Sequence, residues 1–325
     1  MMEFRLPFTP KAFEKKIKHQ HQLLLIGSCF TENIGAKFKH LKFNVAENPH
    51  GILFNPISIA TAIHDYLHQT IYTDADIVYH NESWHSWHHH SRFSHPNKNS
   101  CLQLINQSIA AAHQFLHQAN WVFITLGSAF VYQINNDQVV ANCHKIPTNK
   151  FTKKLLTANE VTAALQQIVA DIASCNPSAN IIFTISPVRH LREGFVENNR
   201  SKATLIQAVH TITDIEKNCF YFPAYELVMD DLRDYRFFAE DMVHPNYAAT
   251  NYVWQKLIAA ALDEPTQLLI NQIQQIVTAK NHKPFNATST AHQQFLQTNL
   301  QKVMQLQQQY AYINFSEEVA VFSTK

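Results

Sequence analysis

The sequence predicts an α/β protein built on a parallel sheet with helices on both faces. Two observations carry that prediction. Five short runs, Leu23–Ile26, Phe43–Ala46, Trp121–Leu126, Ile181–Ile185 and Phe220–Pro223, are apolar and rich in β-branched or aromatic residues, as strands covered on both faces are. Stretches with helical period separate them, and strands alternating with helices imply parallel pairing through crossovers. At 325 residues, 46% of them apolar, the chain is long enough to bury a large core.

Taken in order, the first strand ends at Gly27 and runs straight into a helix marked by Phe30, Ile34 and Phe38 at four-residue spacing. Residues 72–100 lack a sustained period and are dense in His, Trp and Ser, which predicts a long excursion over the sheet edge. Helical periodicity returns over Leu102–Ala119, Ala158–Ala173 and Ser201–Ile215. After Leu262 the character changes. Asp263, Glu264 and Pro265 signal a helix start, and Leu269, Ile273, Ile276 and Val277 form an apolar stripe. A break at 282–290 precedes a second stripe of Leu296, Leu300, Val303 and Met304, so a Gln-rich helical hairpin is expected. The chain accordingly divides into 1–262 and a helical extension, 263–325, that covers the core or pairs with a second copy.

Composition excludes several classes. A net charge of +1 without a like-charge block argues against nucleic-acid binding. No apolar run reaches the roughly 20 residues of a spanning helix. The first residues carry no signal-peptide pattern, and the five cysteines show no CxxC spacing, so reduced thiols and a cytoplasmic location are expected.

Two stretches carry chemistry. Strand, Gly27, Ser28, Cys29 and helix is a mounting for a nucleophile. Far downstream, Asp241 and His244 precede Pro245, Asn246 and an amphipathic helix, a spacing that lets a carboxylate orient an imidazole acting as general base. Together they form the layout of the SGNH or GDSL hydrolases. More closely, the chain resembles the GSCFA-domain family through Gly27, Ser28, Cys29 and Phe30, with Thr31 in the final place of the motif. Further matches are NPHGILFNP (48–56), HSWHHHSRFS (85–94), TLGSAFVY (125–132), VVANCHK (139–145), TISPVRH (184–190), FPAYELVMDDLRDYRF (222–237) and EDMVHP (240–245). The resemblance covers roughly residues 20 to 260, with the C-terminal hairpin outside it.

This resemblance implies a three-layer α/β/α fold of SGNH-hydrolase type, a nucleophile–His–Asp site and ester hydrolysis through an acyl-enzyme, with no cofactor. The resemblance does not fix the substrate; an acyl ester is expected, with a short-chain acyl or acetyl ester of a carbohydrate as one candidate. Acyl transfer on the same fold and a non-catalytic carbohydrate-binding module are the alternatives. The register of GDSL enzymes places Cys29 on the nucleophile position and Ser28 one place earlier, where those enzymes carry aspartate; Ser28 is the alternative nucleophile. A thiol at a helix N-terminus beside a histidine is expected to have a lowered pKa. Where related enzymes carry Gly-x-Asn, this chain has Gly127, Ser128 and Ala129, so oxyanion donors are sought at the backbone of Cys29 and Gly51, at Gly127 and Ser128, or at a histidine of 85–90. Trp84, Trp87, His89, His90 and Arg92 are expected to line the substrate cleft. Arg189 and His190, just past a predicted strand end, are expected to bind substrate, with an ion pair from Arg189 to Asp231 or Asp234 as the alternative. The histidines at 85, 88, 89, 90 and 95 lack the Cys or carboxylate partners of a tetrahedral site, and no metal is expected.

Overall fold

Leu23, Leu25 and Leu24, Ile26 point to opposite faces of the first strand, and each pair sits in a different apolar cluster. That alternation explains why the run is apolar throughout and fixes a layer on each side of the sheet. The computed structural model describes residues 6–134 and 137–323. Strands β1 (Gln22–Gly27), β2 (Asn44–Glu47), β5 (Trp121–Leu126), β9 (Asn180–Ile185) and β10 (Cys219–Phe222) form one sheet in the order β2-β1-β5-β9-β10, with every pairing parallel.

One face of this sheet is covered by α1 (Cys29–His40), α7 (Tyr247–Ala261) and the C-terminal helices, through Phe30, Phe38, Val253, Trp254 and Leu257. The other is covered by α2 (Pro56–His68), α3 (Lys98–Gln118), α4 (Ala158–Cys175) and α5 (Gly194–Thr213), through Ile59, Ile63, Leu116, Leu165 and Leu205. The result is a three-layer α/β/α architecture. The chain moves outward from β1 to β2 and then returns across β1 to β5. Between β1 and β5, at their carboxyl ends, lies the switch point where open parallel sheets hold ligands.

The excursion at 72–100 contains regular structure that periodicity does not show. Strands β3 (Ile77–His80) and β4 (Ser83–Ser86) form an antiparallel hairpin. Its two-residue turn is Asn81-Glu82, both at positive φ (45° and 58°), so it lacks the glycine that normally marks such a turn. Tyr72, Ile77 and Phe93 pack with Cys101, Ile105 and Ile109 of α3 as a satellite core. A second antiparallel sheet, ordered β7-β6-β8, is made by β6 (Phe130–Ile134), β7 (Gln138–Val140) and β8 (Thr152–Leu155).

A short α6 (Ala224–Glu226) continues into a π-helical turn over Leu227–Leu232. Helices α8 (Glu264–Lys280) and α9 (Thr290–Gln309) are the expected hairpin, and a third, α10 (Ser316–Phe322), follows. Leu269, Ile273, Val303, Phe315 and Phe322 belong to the same apolar cluster as Leu23 and Phe38, so these helices cover the core. Buried Glu318 of α10 pairs with Lys42 at 2.8 Å and Lys280 at 2.7 Å, fastening the extension to the body.

Candidate active site

Gly27 closes β1 at φ 145°, and a Cβ there would lie 2.2 Å from the Thr125 carbonyl oxygen of β5, so only glycine fits. Its N–H donates to Asn48 Oδ1 at 2.8 Å, which ties the 48–56 segment across the strand end. Ser28 is the N-cap of α1, fully buried, with an Oγ that finds no hydrogen-bond partner. Cys29 is the first helical residue and remains partly open. Burial pushes its thiol pKa up, outweighing hydrogen bonds from the N–H groups of Phe30 and of Cys29 itself; Glu32 pushes it further up, while Lys202 pulls it down. The expectation of a lowered thiol pKa is therefore corrected: desolvation wins over the helix N-terminus.

The loop before α7 is folded by one carboxylate. Asp241 Oδ1 accepts from the N–H groups of Val243 (2.9 Å) and His244 (3.0 Å), and its Oδ2 lies 2.6 Å from His244 Nδ1. These contacts, the two backbone donors first, hold the Asp241 carboxyl down at about 2. With an ionised Asp241 as acceptor, Nδ1 is the donor of this bond, which leaves the other ring nitrogen, Nε2, for a second partner. Asn246 caps α7 by accepting from Ala249 N–H and donates to the Arg236 carbonyl, setting where the loop meets the helix.

This loop is fastened to the carboxyl end of β9. Arg189 N–H donates to the Val243 carbonyl at 3.2 Å, and its guanidinium donates to the Met242 carbonyl at 3.1 Å while lying 4.0 Å over the Phe238 ring. The charged end of Arg189 thus braces the histidine loop. His190 N–H donates to Asn198 Oδ1, and its buried Nε2 lies over Gly127 with no hydrogen-bond partner. Burial, Lys202 and His244 drive the His190 pKa down to about 3, so its ring is neutral.

The N–H groups proposed for an oxyanion hole are mostly engaged. Gly51 N–H donates to Asn48 O (2.7 Å), and Gly127 and Ser128 N–H both donate to Phe54 O (2.8 and 3.0 Å). Ser128 Oγ accepts from Phe130 N–H at 3.0 Å. These three residues shape the switch point, but their backbone donors are committed to the fold.

The excursion residues divide. His89 is fully buried, stacked on His50 at 3.9 Å and bonded to Ser86 Oγ, within a network in which His50 and Tyr72 both reach Asp65 Oδ2 (3.0 and 2.8 Å). It lines no open cleft, because the polar network needs it inside. His90 caps a short turn, with its Cβ where a side chain on Gly51 would fall. Trp87 packs edge-on to Phe151, and its carbonyl accepts from Ala141 N–H. Trp84 lies against Tyr79 and beneath Lys98. Arg92 does reach the mouth of α1, where it pairs with Glu32 at 3.4 Å and donates to the Asn48 carbonyl. Among the described residues no three His, Cys, Asp or Glu side chains converge as a metal site, and no helix is long and apolar enough to cross a membrane.

The GSCFA family model matches residues 22–257. The chain belongs to the GSCFA family. Its C-terminal helices, expected to lie outside that resemblance, match a second model over 273–325, the C-terminal domain of GSCFA domain proteins. No curated protein matches the chain. Among solved structures it is similar to a carbohydrate esterase family 3 protein from Talaromyces cellulolyticus, at 9% identity and TM-score 0.38, over 79% of this chain and 99% of that one. It is also similar to an acetyl xylan esterase from the rumen bacterium Butyrivibrio proteoclasticus, at 11% identity and TM-score 0.39, over 74% of this chain and 63% of that one. Likenesses at this level carry no argument about activity.

In this GSCFA chain the residues that sequence reading missed lie on α5. Asn198, Ser201 and Lys202 fall at the spacing of its buried stripe, in register with Leu205, Ala208, Val209 and Ile212. Asn198 holds His190, Ser201 Oγ accepts from Ala129 N–H at 2.7 Å, and Lys202 Nζ donates to the carbonyls of Gly127 and Ser186, both at 2.7 Å. Polar residues on the apolar register of a helix were the available signal.

Proposed function

We propose that this GSCFA protein is an ester hydrolase of SGNH type, with Cys29 as nucleophile, His244 as general base and Asp241 as its orienting carboxylate. The observation that carries the reading is the Asp241–His244 pair, braced through Arg189 to the sheet end at which Cys29 begins its helix. Burial of Ser28 favours Cys29, because only the partly open thiol is accessible to an external acyl group.

In this reaction the Sγ proton passes to His244 Nε2, and the sulfur attacks the acyl carbon. The carbon–oxygen bond breaks, and the alcohol leaves with the proton returned by His244. Water, deprotonated by His244, then attacks the thioester, releasing the acid and restoring the thiol. The N–H groups of Cys29 and Phe30 and the neutral ring of His190 are the proposed donors to the oxyanion, in place of the committed Gly51, Gly127 and Ser128. Short acyl esters of carbohydrates are the proposed substrate class. The engaged donors also favour a second reading, a non-catalytic binding module.

Steady-state hydrolysis of an activated acetyl ester and of acetylated sugars separates the two. The esterase reading expects turnover that falls by about three orders of magnitude or more in His244→Ala. Turnover equal in wild type and His244→Ala, or absent from both while the sugar binds, contradicts it.

A further inference from the structure

His113 and His117 lie on one side of α3, four residues apart, with ring centroids 4.4 Å from each other. Each ring is held through one nitrogen. His113 Nδ1 lies 2.7 Å from the Tyr66 carbonyl oxygen of α2, and His117 Nδ1 lies 2.8 Å from the His113 carbonyl oxygen. A carbonyl only accepts, so Nδ1 is the donor in both rings. In the neutral imidazole that leaves a lone pair on each Nε2, and among the described residues neither Nε2 has a hydrogen-bond partner.

Packing explains half of this arrangement. The buried stripe of α3 is Cys101, Ile105, Ile109, Ala112 and Leu116, and both histidines flank it, His113 half-buried and His117 exposed. Tyr66 belongs to the last turn of α2, where carbonyls run out of helical donors, so the His113 N–H serves as a cap. His117 has no such task, since its bond returns to its own helix. We propose that His113 and His117 are a two-point site for a late divalent transition metal, bound by both Nε2 atoms. Histidines at i and i+4 on a helix are a spacing that holds zinc, and imidazole suits zinc, nickel and copper better than magnesium or calcium. The carbonyl bonds to Nδ1 fix tautomer and ring orientation in advance, as the partners of metal-ligating histidines do. Among the described residues no third His, Cys, Asp or Glu joins them, so water fills the remaining positions.

Bound metal draws electron density from the His113 ring and makes its Nδ1–H a stronger donor, tightening the end of α2 onto α3. An internal comparison lies on α2 itself. His64 and His68 are also four residues apart and exposed, with ring centroids 4.2 Å from each other. Among the described residues neither of those rings is hydrogen-bonded to a carbonyl. Closing them on an ion therefore costs side-chain entropy that the α3 pair has already given up.

Calorimetric titration of Zn²⁺ into the full-length, chelator-treated chain tests the site, with His117→Ala and the double variant His64→Ala/His68→Ala beside wild type. The tightest binding phase should weaken about tenfold or more in His117→Ala, which loses one of two ligands, and stay within about twofold in the double variant. All three replaced side chains are exposed, and His117→Gln, which also lacks a ring nitrogen, should repeat the His117→Ala result. The second readout is ¹⁵N imidazole NMR, with the His117 signals assigned as those missing from His117→Ala. They should show the Nδ1–H tautomer without metal and a zinc-dependent shift of Nε2. An absence of zinc binding, equal affinity in wild type and His117→Ala, or a loss confined to the α2 double variant overturns the proposal. So does a neutral His117 ring with its proton on Nε2.

Discussion

The N–H of Arg189 donates to the carbonyl of Val243 at 3.2 Å, joining the end of β9 to the loop that carries His244. That loop is otherwise half-exposed at Asp241 and His244, and the Arg189 side chain adds a bond to Met242 O and a stack on Phe238. Arg189→Ala should therefore act through placement of the imidazole. A fall in kcat of about 10–100-fold is expected, because small misplacements of a reacting group are costly. Arg189→Lys should rescue little, since an ammonium cannot stack and donate together as the planar guanidinium does. Full activity in Arg189→Ala would remove the brace from the account.

Asp241 gives a pH test with a definite sign. Its carboxyl is held down at about 2, so the folded state keeps it ionised where the unfolded chain would protonate it. Its contribution to stability is present above the ordinary aspartate pKa and is lost as pH falls through about 2. A ¹³C carboxyl titration should find the depressed midpoint. In His244→Ala the midpoint should rise only part of the way, because the N–H groups of residues 243 and 244 still donate. A full return to the ordinary value would show that the imidazole alone sets it.

Two glycines separate crowding from backbone preference. Gly27→Ala meets both a φ of 145° and the Thr125 carbonyl, and should lose about 3 kcal/mol or more in urea unfolding. Gly194→Ala meets a φ of 84° with open space around it, and should lose about 1 kcal/mol. Equal losses would mean that contact with Thr125 is not what requires glycine at 27.

His190 tests the oxyanion assignment. Its unpartnered Nε2 over Gly127 is the proposed replacement for the missing asparagine. His190→Ala should lower kcat by about 10²–10³-fold with little change in KM, the pattern of a donor used mainly in the transition state. Unchanged kcat would remove it from the site.

What the sequence made legible follows from where its physics is local. The central strands β1, β5 and β9 are buried on both faces, so their positions could be read, with ends displaced by a residue or so. The β3–β4 hairpin could not, because Asn81-Glu82 makes its turn without glycine. Asp241 and His244 were legible since one carboxylate can cap, turn and orient within four residues. Lys202 was missed, and the contacts of Arg189 and His89 could not be read, because tertiary partners decide them: two strand-end carbonyls, the Met242 carbonyl and the His50–Asp65 network.

The central claim is that the acyl group passes through Cys29. Rapid acid quench during turnover of an activated acetyl ester, followed by peptide mass mapping, tests it most directly. The account predicts an acetyl adduct on the peptide containing Cys29, at the sulfur, lost in Cys29→Ala together with turnover. An adduct on Ser28, or turnover undiminished in Cys29→Ala, would contradict it.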